Sequence, residues 1–81
     1  MSTTVRQTVA DIWSEVLGTA IDEESDFFLL GGHSLLATQM VARLETALGV
    51  KVSLREVLDH AEFGEFADLV TRRLDTAAQS A

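Results

Sequence analysis

Cysteine and proline are both absent from the 81 residues, glycine occurs five times, and basic residues number only six. Without cysteine there are no disulfide staples and no thiolate metal sites. Without proline, and with 47% hydrophobic residues, the composition is that of a folded chain and not of a disordered one. Thirteen acidic residues against the six basic ones give a net charge of −7, which repels phosphate backbones and anionic lipid headgroups. Nucleic acid and membrane surfaces are therefore poor partners, and a partner with a basic docking surface fits better. No apolar run approaches transmembrane length, and Met1 to Thr8 lacks the charged and apolar regions of a signal peptide, so a cytoplasmic location is the default expectation. A chain this short buries only roughly 60 to 65% of its unfolded surface, which leaves little room for an enclosed active site.

What is present is helical periodicity. Val5, Val9, Ile12, Trp13 and Val16 recur at helical spacing, with Thr4 and Gln7 in capping-box positions and Gly18 placed to end the segment, so a helix is predicted over about 4–17. From Thr19 to Gly32 no period is sustained, yet Ile21, Phe27, Phe28 and Leu30 lie among acidic residues, as in a long ordered loop with apolar anchors. A second helix opens near Ser34, carries Leu36, Met40, Leu44, Ala47 and Leu48 on one stripe, and ends at Gly49. Ser53 and Glu56 form a capping box for a short third helix ahead of Leu54, Val57 and Leu58. Phe63, Phe66, Ala67, Val70 and Leu74 predict a fourth, ending near Asp75. Trp13, Phe28, Phe63 and Phe66 are assigned to the core. The fold class is all-α: a small four-helix bundle in which the loop between helices one and two is long. With no linker visible, the expectation is one monomeric domain over 1–81 with loose ends at about 1–3 and 77–81, free-standing, although a domain cut from a multidomain synthetase would read the same.

One stretch is placed to carry chemistry, Asp26-Phe27-Phe28-Leu29-Leu30-Gly31-Gly32-His33-Ser34-Leu35-Leu36. Two glycines let the backbone turn into a helix that begins with a serine, presenting its hydroxyl at a helix N-terminus. In the simplest case Ser34 is only an N-cap, worth about 1 kcal/mol against alanine, in an unmodified helical interaction module. The helix N-terminus also favours an attached phosphate through its unpaired amides and dipole. A hydrolase nucleophile does not fit, because the second glycine of a nucleophile elbow and a strand leading into it are missing. Two histidines, His33 and His60, without ligand spacing make no metal motif, and Gly31-Gly32 without a following lysine makes no P-loop.

This stretch, together with Leu36-Ala37-Thr38-Gln39-Met40-Val41-Ala42-Arg43-Leu44, the earlier Trp13-Ser14-Glu15-Val16-Leu17 and the later Gly49-Val50-Lys51-Val52 and Leu54, resembles the phosphopantetheine-binding peptidyl carrier proteins of nonribosomal peptide synthesis. The resemblance spans nearly the whole chain. It implies that Ser34, flanked by Gly32 and His33, receives 4'-phosphopantetheine from coenzyme A through a phosphopantetheinyl transferase, and that the chain itself catalyses nothing. A chain without a thiol of its own is consistent with a thioester carried on an added group. His33 stands where fatty-acid and polyketide carriers commonly have aspartate, which implies an aminoacyl cargo loaded by an adenylation enzyme and passed to condensation or tailoring enzymes; an acyl or aryl cargo is the alternative.

In the family, partners dock around the start of the second helix and the loop before it, which makes Leu29, Leu35, Gln39 and Arg43 the candidate partner contacts. Met40, on the apolar stripe, is assigned to the core. Two departures from the family pattern stand out. Leu29 occupies a usually polar position, where it either joins a partner surface or tucks into the bundle. Ala61-Glu62 replace the proline and threonine that usually open the last helix, and Gly64 weakens its first turn by roughly 1 kcal/mol, so a frayed start is expected there.

Overall fold

Helices form where apolar residues recur every three and four positions. The computed structural model describes residues 4–80, with the side chains of 4–76. It contains α1 (Val5–Leu17), α2 (Ser34–Leu48), α3 (Leu54–Asp59) and α4 (Phe63–Ser80). α1 packs against both α2 and α4, and α2 packs against α3. Among the described residues the only β pairing is one isolated antiparallel bridge between Asp26 and Glu62, and no helix is long and apolar enough to cross a membrane.

Each boundary has a local cause. Thr4 is the N-cap of α1, its hydroxyl accepting from the Gln7 amide, and Gly18 closes the helix in the left-handed conformation. The expected box is only half made there, because the Gln7 side chain donates to Asp11 instead, at 2.8 Å. α3 has the full reciprocal box, with the Ser53 hydroxyl accepting from the Glu56 amide and the Glu56 carboxylate accepting from the Ser53 amide. That carboxylate also pairs with Arg73 of α4, and Arg73 donates to the Lys51 carbonyl at 2.8 Å, so one arginine ties the entry of α3 to α4. Hydrogen bonding from Arg73, then from the Ser53 amide, lowers the Glu56 carboxyl to about 2.

Val9, Ile12 and Trp13 meet Ala37, Met40 and Leu44 of α2 and Phe63, Phe66, Ala67 and Val70 of α4 in the core. Trp13 lies at its centre, edge-on to Phe27 at 5.2 Å and to Phe63 at 5.3 Å, arrangements that suit the aromatic quadrupole. Four expectations need correction. Phe27 is the fully buried member of the loop's aromatic pair, and Phe28 is half-buried against it. Ala47 is exposed; the small residue that α2 buries is Ala37, about one turn after Ser34. α4 continues past Asp75 to Ser80, the high helix propensity of Ala77 and Ala78 extending it. Its start is not left to fray, for a reason that also builds the site. The expected loose ends fall on 1–3 and 81, outside the described residues, and on 77–80, whose side chains are not described.

Candidate functional site

The loop between α1 and α2 is fastened at two places. In its first half it runs as a strap across the start of α4: the Phe63 amide donates to the Ser25 carbonyl at 2.7 Å, the Gly64 amide to the Glu23 carbonyl at 3.0 Å, and the Phe27 amide to the Ala61 carbonyl at 2.9 Å. A helix leaves its first amides without intrahelical partners. Here the strap's carbonyls supply the acceptors that a capping threonine would have provided, which removes the reason for the expected fraying. Gly64 fits this role through space, since a Cβ there would lie 3.1 Å from the Glu23 carbonyl oxygen.

In its second half the loop closes a turn on Asp26, whose carboxylate accepts from the amides of Phe28 at 2.9 Å and Leu29 at 3.0 Å. The Leu30 amide returns to the Asp26 carbonyl and the Gly32 amide to the Phe27 carbonyl. The two glycines do different work. Gly31 has φ +101°, a conformation that side chains disfavour. Gly32 lies so close to Phe27 that a Cβ would come within 2.5 Å of its carbonyl oxygen and nearer still to its ring. The turn to Ser34 is therefore seated directly on a core aromatic residue.

The chain then leaves the turn through His33, which is extended and is the N-cap of α2 but makes no side-chain capping bond. Ser34 is consequently the first helical residue and not the cap, which corrects the capping alternative. Its carbonyl accepts from Thr38, and among the described residues its hydroxyl has no protein partner. Helix geometry leaves the amides of Ser34, Leu35 and Leu36 without intrahelical acceptors. The first turn of α2 contains no carboxylate. An exposed, uncommitted hydroxyl beside unpaired amides at the positive end of a 15-residue helix is a donor set suited to a phosphodiester.

Two leucines close to Ser34 in the chain are exposed. Leu29 is 86% exposed and Leu35 62% exposed, so Leu29 stands in solvent and is not tucked into the bundle. Leu35, Gln39 and Arg43 recur every four residues and share one exposed face of α2. Arg43 on that face pairs with Glu15 of α1 at 3.2 Å. Met40 is fully buried, as expected of a core residue. His33 is exposed, whereas His60 ends α3 with Nδ1 3.7 Å from the Glu65 carboxylate, away from the Ser34 turn in the chain. The strap on α4 was missed in the sequence; Gly64 in a helix's first turn was the one trace of it, since a glycine there marks a close approach.

The family model described as a phosphopantetheine attachment site matches residues 7–70. A linear gramicidin synthase of Brevibacillus parabrevis is 42% identical over 72 residues, covering 88% of this chain but only 1% of that protein. Among solved structures, BlmI, a type-II acyl-carrier-protein from Streptomyces verticillus involved in bleomycin biosynthesis, is 30% identical with a TM-score of 0.79 over 86% of both chains. A peptidyl carrier protein solved in complex with the phosphopantetheine transferase Sfp and coenzyme A is 28% identical with a TM-score of 0.81, over 90% of this chain and 96% of that one.

Proposed function

Because the chain belongs to the phosphopantetheine-attachment family, as a carrier of the nonribosomal peptide synthesis type whose cofactor is 4'-phosphopantetheine, we propose that Ser34 is the attachment residue and that the cargo is an aminoacyl thioester. The observation that supports this most directly is the Ser34 hydroxyl itself, exposed and free of any capping bond at the start of α2. A serine serving as a cap would have its oxygen committed to a first-turn amide. Here the oxygen is left for reaction and the amides are left for the phosphate.

When bound, the arm supplies a thiol on which an acyl group is carried as a thioester, a function the cysteine-free chain cannot supply itself. The protein's own part is presentation. Gly31 and Gly32 set the direction of the turn, Phe27 fixes its seat, and the first-turn amides of α2 would hold the phosphodiester. Nothing in this set of residues bonds to or activates the cargo, so the chain performs no reaction by itself and works in the cytoplasm through others. Those partners are a phosphopantetheinyl transferase, an adenylation enzyme and condensation or tailoring enzymes, docking on Leu29, Leu35, Gln39 and Arg43. His33 in place of an aspartate supports the aminoacyl cargo.

The cargo is tested by converting the chain with a transferase and coenzyme A, then offering it to adenylation enzymes with ATP and a panel of amino acids. A second mass gain of one aminoacyl group, discharged by hydroxylamine, is the expected result. An arm-bearing chain that accepts only aryl or acyl acids would overturn the aminoacyl assignment.

A further inference from the structure

Arg6, in the first turn of α1, joins three segments that are distant in sequence. Its Nε and Nη2 donate to the two carboxylate oxygens of Glu23 in the strap, at 2.8 and 2.5 Å, and its Nη1 donates to Asp68 of α4 at 2.9 Å. The guanidinium also lies 5.8 Å from the Phe63 ring centroid, within cation–π range. Glu23 and Asp68 repel one another, and Asp22 adds to the negative charge at Glu23. Arg6 is the cation placed between them.

Two routes run from this clamp to Ser34. Along the backbone, Glu23 and Ser25 accept from the first amides of α4, the Phe27 amide donates to Ala61, and the Phe27 carbonyl accepts from Gly32. Through the core, Phe63 meets Trp13, Trp13 meets Phe27, and Phe27 fills the space against Gly32. Both routes end two residues before Ser34. We infer that Arg6 is a positioning residue for the modification of Ser34, clamping the strap to α4 so that the Gly31-Gly32 turn holds one orientation. This rests on the attachment reading above. Among the described residues, all of Arg6's contacts are with Glu23, Gly64, Asp68 and Phe63, so the effect assigned to it runs through the strap.

The electrostatic origin gives the inference its signature. In Arg6→Ala, Glu23 and Asp68 face one another without their cation and push the strap from α4. Salt near 1 M screens that repulsion to within roughly 3 Å, and Glu23→Gln removes one of its charges. A loss of packing alone would answer to neither. Arg6→Lys keeps the charge but not the two-pronged geometry.

The test pairs amide hydrogen exchange with the rate of arm transfer by a transferase and coenzyme A. Expected in Arg6→Ala is exchange about fivefold faster at Gly32, Phe63 and Gly64, and kcat/KM for transfer about fivefold lower, the span of an exposed ion-pair network. Both return toward the parent in Arg6→Ala/Glu23→Gln and at high salt, each compared with the parent in the same buffer. Arg6→Lys falls between, and Arg72→Ala, the same charge change made away from the clamp, on α4, leaves both readouts at parent values. Unchanged exchange at Gly32 in Arg6→Ala, or a loss that persists in the double variant, overturns the inference. A parent chain that accepts no arm would overturn the attachment reading instead, with the exchange data still deciding whether Arg6 orders the turn.

Discussion

At Gly32 a single methyl group would lie within 2.5 Å of the Phe27 carbonyl oxygen, and neither partner can retreat, because Phe27 is fully buried and hydrogen-bonded along its backbone. Gly32→Ala is therefore expected to lower unfolding free energy by about 1–3 kcal/mol, the usual cost of overpacking, in equilibrium urea denaturation. A stability equal to the parent's would mean that Phe27 does not seat the turn. Glu56 sets a different dependence. Its folded-state carboxyl is lowered from 4.5 to about 2 by Arg73 and the Ser53 amide, so its contribution is complete above pH 4.5 and is lost as the pH falls toward 2. Glu56→Gln should flatten the acid side of the stability profile between those values, as followed by thermal unfolding. An acid limb identical to the parent's would show that other carboxylates govern it.

Among the elements, α3 and the start of α4 depend most on local contacts. α3 has six residues and one buried side chain, Val57, so its capping box is a large share of what holds it. Ser53→Ala is expected to cost about 1 kcal/mol in denaturant unfolding. The start of α4 should show protected amides at Phe63 and Gly64 in hydrogen exchange, matching those further along the helix, because the strap supplies their acceptors. Rapid exchange there would restore the frayed start that the sequence predicts. The contrast shows what each level of description can reach. α1, α2 and the box on α3 were legible because periodicity and caps lie within a few residues of one another. The capping of α4 by Glu23 and Ser25 was not, since its donors and acceptors are about forty positions apart and use backbone atoms, which leave no mark on residue type beyond Gly64. The core role of Phe27 over Phe28 was hidden likewise: two adjacent phenylalanines outside any period look alike until a turn directs one inward.

For the whole molecule, the same division holds. The fold class was legible, because helices this short bury enough surface only by packing together. The candidate site was legible as a motif, Gly31-Gly32-His33-Ser34, but its distinguishing feature was not: His33 takes the cap position, and the Ser34 hydroxyl has no bond to any of the described residues. The net charge of −7 bears on encounter as well as solubility, since partners with basic surfaces associate faster with an acidic domain and lose that advantage in salt. The proposed offering to such a partner is the exposed Ser34 hydroxyl, with Leu29, Leu35 and the outer face of α2 as the docking surface. That claim is tested most directly by the intact mass of the chain after incubation with a phosphopantetheinyl transferase and coenzyme A, beside Ser34→Ala. The account predicts a gain of one phosphopantetheine arm in the parent and none in the folded variant; no gain in the parent, or an equal gain in both, would contradict it.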